Sequence, residues 1–168
     1  MRPDRTPVGL HLAQAARSVS RAFDDGLAQA GGSLPVWLVL LNLKANPRGS
    51  QRQIAEAIGV TEATLTHHLS AMDTDRLITR RRDPANRRVH LIELTKTGEA
   101  AFTQLRAAAV EFDRRLRRGI TDKEIEQLHS VLDRLAANVG TELDQSLPAP
   151  GRAALKRSTG YGKETGGG

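Results

Sequence analysis

The sequence predicts a mainly α-helical chain with one small β-hairpin. Apolar residues recur at alternating spacings of three and four in several segments, the period of helices that bury one face. Two segments open with Ser or Thr followed three residues later by Gln or Glu, Ser50 with Gln53 and Thr121 with Glu124, which is the capping-box signature. One arginine-rich segment instead has short runs on either side of Asp83-Pro84-Ala85-Asn86, the composition of a tight turn between strands.

Residues 8–30 place Leu12, Ala16, Val19, Phe23 and Leu27 on one helical stripe, and Gly31-Gly32 ends it. Ser33 and Pro35 open a second helix with Val36, Trp37, Leu38, Leu40 and Leu41 over much of its circumference, so it should be buried; Asn46-Pro47 closes it. Ser50 starts a short third helix whose Ile54, Ala55 and Ile58 share a side, with Gly59 at its left-handed end. Thr61 caps a fourth helix that packs through Leu65, Leu69 and Met72, and small Ala55 allows the pair to approach closely. The hairpin should run from about 77–82 to 89–94. Thr95 then caps a long helix with Phe102, Leu105, Ala109, Phe112 and Leu116 in three-and-four alternation, interrupted at Gly119. A last helix continues the rhythm through Ile125, Leu128, Leu132, Leu135 and Val139. Two apolar stripes that follow an already closed core need a partner, and a second copy of the chain is the expected one.

A length of 168 residues suffices for one domain with a real core. No uninterrupted apolar run reaches the ~18 residues of a membrane span, and no N-terminal apolar segment reads as a secretory signal, so a cytoplasmic location is expected. Cysteine is absent, which excludes disulfides, thiol catalysis and cysteine-based peroxide sensing for this chain. No nucleophile elbow, phosphate-cradling glycine loop or paired metal ligands occur, so neither an enzyme nor a cofactor is expected. Adjacent His67 and His68 point in different directions on a helix and make no metal pair.

The net charge is +6, and its densest part is residues 76–88, with six Arg against Asp83 alone. Arginine suits forked bonds to phosphate and insertion into narrow grooves. At about 100° per residue, the face opposite Leu65, Leu69 and Met72 carries Ala63, His67, Ser70 and Thr74, flanked by Thr64 and Thr66. That face suits a major groove: hydroxyls pair with bases or phosphates, methyls touch thymine, and His67 donates to guanine or phosphate. Arg80, Arg81, Arg82 and Arg88 compete for phosphates, and strand alternation forbids all of them from facing the DNA.

Ile54-Ala55-x-x-Ile58-Gly59-Val60, the Thr-rich helix after it, Asp83-Pro84-x-x-Arg87-Arg88 and Leu91-x-x-Leu94-Thr95-x-x-Gly98 together resemble the winged helix-turn-helix of the MarR family of bacterial transcription regulators. The resemblance spans roughly residues 8–143 and implies a winged helix-turn-helix DNA-binding lobe plus a helical dimerisation region from the N- and C-terminal helices. Residues 1–145 would then form one such domain, with 8–33 and 99–143 as dimerisation helices and 34–98 as the DNA-binding lobe. Residues 146–168, rich in Gly, Pro and Ser and basic, would be a disordered tail. The DNA contacts expected are Ala63, Thr64, Thr66, His67, Ser70, Arg81, Arg82, Arg87 and Arg88. The resemblance makes Arg87 the wing-tip residue of the minor groove, braced by Asp83. It also implies a repressor released from a pseudo-palindromic double-stranded operator by a small, anionic aromatic molecule, with His11, Arg17 and Trp37 as candidate liners. Two alternatives stay open: a ligand-independent architectural DNA-binding protein, and a winged-helix module that binds another protein.

Overall fold

The computed structural model describes residues 6–47, 49–83, 86 and 90–140. Its elements run α1 (Val8–Gln29), α2 (Leu34–Ala45), β1 (Gly49–Ser50), α3 (Gln51–Ile58), α4 (Glu62–Thr74), β2 (Ile78–Arg82), β3 (His90–Leu94), α5 (Lys96–Leu116) and α6 (Asp122–Asn138). Among the described residues no single helix is long and apolar enough to cross a membrane. Pro84, Ala85, Arg87, Arg88 and the tail at 146–168 lie outside the described residues.

Helix α2 is the centre of the core. Pro35 sits in its first turn, where a missing N–H costs nothing, and Trp37, Val39, Leu40, Leu41 and Leu43 are all buried. An apolar surface on every side needs neighbours on every side, and α2 packs against α1, α3, α4, α5 and β3. Ile54 and Ala55 of α3, Leu65, Leu69 and Met72 of α4, Ile78 and Ile92 of the sheet, and Phe102, Leu105 and Ala109 of α5 complete one cluster with it.

The sheet has three strands rather than the two of a hairpin. β3 lies between β1 and β2, antiparallel to both, with Gly49 opposite Ile92 and Ile78 opposite Leu94. β1 is only two residues long, so it has no alternation that a sequence could display; its pairing is set by the long-range seat beside Ile92. Both expected capping boxes form, at Ser50–Gln53 and at Thr121–Glu124. The amide and hydroxyl of Thr121 hold the Glu124 carboxyl below its ordinary range.

Where α4 hands over to β2, the chain makes a turn that α5 also uses. Arg76 takes a left-handed φ of 57°, which costs an L-residue roughly 1–2 kcal/mol. The Thr95 amide donates to the Leu77 carbonyl at 3.1 Å, and the Thr95 hydroxyl donates to the Arg76 carbonyl. The same hydroxyl accepts from the Gly98 amide at 3.0 Å, capping α5. A Cβ on Gly98 would overlap the Leu77 carbonyl oxygen, so the first turn of α5 lies directly on this backbone.

Helix α6 stands apart from that core. None of its residues is buried, and Leu128, Val131 and Val139 are exposed. Leu10 and Leu12 of α1 and Val110 and Leu116 of α5 are exposed as well. Scattered apolar residues are ordinary on a surface, but these sit on the helices at the two ends of the chain.

Two substitutions test the α4–β2–α5 joint. Gly98→Ala should lower unfolding stability by about 2–3 kcal/mol, because the overlap is with backbone and cannot be relieved by a rotamer change; urea titration reads it directly. Arg76→Gly should raise stability by about 1 kcal/mol by removing the left-handed penalty. A lower melting temperature for that variant would show that the Arg76 side chain contributes more than its backbone costs.

Candidate nucleic-acid interface

Gly59, at φ 71°, ends α3 in a left-handed turn, and Thr61 starts α4 by accepting from the Thr64 amide at 3.2 Å. Leu65, Leu69 and Met72 anchor α4 to the core. Ala63, Thr64, Thr66, His67, Ser70 and Thr74 are all exposed, and His68 is half-buried at the edge, as the 100° rule requires.

The hydroxyls of that face are already engaged within the protein. Thr66 Oγ1 donates to the Glu62 carbonyl at 2.7 Å, Ser70 Oγ to the Thr66 carbonyl at 2.8 Å, and Thr74 Oγ1 to the Ser70 carbonyl at 3.0 Å. Thr64 and Thr61 share a hydroxyl bond of 2.9 Å. Gln51 Nε2 reaches from α3 to Thr66 Oγ1 and to the Glu62 carbonyl, locking the start of the fourth helix onto the third. With their protons committed to carbonyls, Thr66, Ser70 and Thr74 offer a groove lone pairs and methyl or methylene surface, not donors. The imidazole of His67 makes no hydrogen bond among the described residues, so it is the side chain of this face with both donor and acceptor capacity in hand.

The three arginines of β2 divide as alternation demands. Ile78 is buried and Arg80, two residues on, lies on the same face. Arg80 Nη2 donates to Ser70 Oγ at 3.2 Å, and its Nε lies 3.7 Å from Asp73 Oδ2. That Nε is buried with no hydrogen-bond partner among the described residues. Arg80 thus ties the sheet to the C-terminal half of α4 and does not compete for phosphate. Arg81 is exposed, 3.7 Å from Glu93, a separation at which an exposed pair contributes little and yields readily to another anion. Arg82 is exposed on the strand end nearest the turn, and Asp83 follows it, half-buried. Arg87 and Arg88 lie outside the described residues.

The other candidate residues fall elsewhere. His11 and Arg17 are exposed on α1. Trp37 is 3% exposed and stacks on Phe102 with ring centroids 5.7 Å apart, so it is a core residue first. Among the described residues no group of His, Asp or Glu is placed to hold a metal ion. Sequence reasoning missed Gln51 and Arg80 as organisers of the face. The signals were present in the spacing: Arg80 two residues after Ile78, and Ser70 and Asp73 one helical turn apart.

A capped helix with an open outer face, braced by a second helix and by an arginine-bearing antiparallel sheet, defines a winged helix-turn-helix DNA-binding lobe. The MarR family model matches residues 33–90, which is that lobe. The transcriptional repressor CouR, solved bound to a 23-mer DNA duplex, is 28% identical with a TM-score of 0.70, over 77% of this chain and 92% of that one. Transcriptional regulator PA3341 is 30% identical with a TM-score of 0.66, over 80% and 98%. The PcaV regulator from Streptomyces coelicolor, solved with its natural ligand, shares the fold at 21% identity and a TM-score of 0.68, over 80% and 98%. The chain belongs to the MarR family: it is a DNA-binding transcriptional regulator and not an enzyme.

Proposed function

We propose that this chain acts in the cytoplasm as a homodimeric repressor that leaves its operator when a small anionic aromatic molecule binds. The observation that carries the reading is the outer face of α4, exposed from Ala63 to Thr74 and held at both ends, by Gln51 and by Arg80. A face kept rigid and open in this way suits base edges that must be met without reordering side chains. Ala63, Thr64, Thr66, His67 and Ser70 enter the major groove, and Arg81, Arg82 and Arg88 meet phosphates. Arg87, braced by Asp83, enters the minor groove. Repression is supported by CouR, a repressor bound to duplex DNA. A ligand step is supported by the same fold in PcaV with its ligand bound. His11 and Arg17, exposed on α1, are the polar groups offered to that ligand, with Arg17 supplying positive charge.

Residues 34–98 form the DNA-binding lobe, and 8–33 with 99–143 form the dimer region, in one domain over 1–145. The exposed Leu10, Leu12, Val110, Leu116, Leu128 and Val131 support that division, because a second copy would cover them. Two reading helices related by a two-fold axis then meet half-sites about one helical turn apart.

Wild-type protein should sediment as a dimer at micromolar concentration, and the double change Leu128→Glu with Leu132→Glu should give monomers that keep their helical signal. A monomeric wild type sinks the dimer. For DNA, the inverted repeat nearest the promoter supplies the test duplex. Arg87→Ala should weaken its binding strongly with little change in melting, Asp83→Ala less so, and hydroxybenzoate should weaken the wild-type complex. His67→Ala should relax base preference at one position per half-site, by roughly 1–3 kcal/mol. Wild-type affinity in Arg87→Ala would remove the wing from the reading, and equal loss on operator and random duplex would make His67 a phosphate contact.

A further inference from the structure

Thr66 is exposed on α4, and its hydroxyl is held from two helices. Oγ1 donates to the Glu62 carbonyl at 2.7 Å, one turn back along α4, and accepts from Gln51 Nε2 of α3. Gln51 Nε2 also donates to the Glu62 carbonyl at 3.3 Å, so Gln51, Thr66 and Glu62 close a triangle of hydrogen bonds. A carbonyl only accepts, which places the nitrogen of the Gln51 amide, not its oxygen, at this corner. Gln51 is the first residue of α3, whose start is fixed by the Ser50–Gln53 capping box, so the donor comes from an anchored position.

The triangle removes a freedom that threonine ordinarily keeps, because in a helix its side chain divides between two χ1 rotamers. Gln51 adds a bond that only the rotamer with its oxygen at Glu62 receives. With the oxygen fixed the methyl is fixed too, since both stand on one carbon.

What Thr66 offers a partner follows by subtraction. A hydroxyl has one proton and two lone pairs, and here the proton and one lone pair are in use. A further donor would meet an oxygen already satisfied, whereas the methyl has no bond to give up. Ser70 is engaged in the same way, donating to the Thr66 carbonyl and accepting from Arg80 Nη2, but it carries no methyl. On the major-groove edges of the bases, the apolar feature is the C5 methyl of thymine.

We propose that Thr66 selects thymine, packing its methyl on the C5 methyl of one thymine in each half-site, and that Gln51 is the positioning residue that holds it in that rotamer. The proposal rests on the reading of α4 as the helix that enters the major groove.

The probe is the inverted-repeat duplex nearest the promoter, with each symmetric pair of thymines replaced in turn by deoxyuridine, which pairs identically and lacks only the methyl. Full-length wild type should lose about fourfold in affinity per half-site at one such position, the worth of one buried methyl. Thr66→Ser, which keeps the oxygen and lacks the methyl, should bind the thymine and uracil forms alike there. Thr66→Val, which keeps a methyl and has no oxygen, should still discriminate, and Gln51→Ala should discriminate less than wild type. The assignment is overturned if wild type binds the duplex with no loss at any uracil, if Thr66→Ser keeps the full loss, or if Thr66→Val no longer discriminates, which would give the contact to the oxygen. Full discrimination in Gln51→Ala would remove its positioning role. A wild type that binds the duplex in neither form would overturn the operator reading itself.

Discussion

The carbonyl of Leu77 is the point on which the arrangement turns. It ends the passage from α4 to β2, accepts from Thr95 at the close of β3, and lies against Gly98 in the first turn of α5. Helix α4, the sheet and the long helix α5 therefore meet at one backbone atom. Thr95 serves both sides, bonding the Arg76 carbonyl and capping α5 with the same hydroxyl. The strain at Arg76 is tolerated because so many separate contacts require that turn.

Around that joint, local chemistry and long-range packing contribute differently. The helix caps were legible because each is complete within four residues: Ser50 with Gln53, Thr61 with Thr64, Thr95 with Gly98, Thr121 with Glu124. The buried faces of α3, α4 and the first half of α5 were legible because their period is the helix period itself. The strand β1 was not, since two residues carry no period and its partner Ile92 lies far along the chain. The exposed face of α4 was legible as a direction, while the state of its hydroxyls was not. A threonine in a sequence does not reveal that a glutamine fifteen positions earlier, Gln51, has donated to its oxygen.

Asn42 and Arg80 illustrate a second limit. Both are polar groups drawn into the interior by their neighbours, one on an apolar helix and one on a strand that begins with buried Ile78. Arginine composition alone treats β2 as a uniform basic edge. The fold instead assigns Arg80 to Ser70 and Asp73 and leaves Arg81 and Arg82 to solvent, so the positive surface offered outward is smaller than the run of arginines suggests. Charge density in a sequence is an upper limit on charge presented by a face.

The seat of α5 on Leu77 also has a mechanical meaning. This helix has 21 residues, about 32 Å at 1.5 Å per residue. It is a lever whose short end is clamped, because no side-chain atom lies between Gly98 and the carbonyl to take up slack. A sideways shift of about 3 Å at the Leu116 end would turn the clamped end by roughly 5° over that length. The sheet and α4 are fastened to each other through Arg80, so they would swing together with it. A small change in how the far end of such a lever is held becomes a change in the direction that the exposed face of α4 points, without any rearrangement inside the lobe.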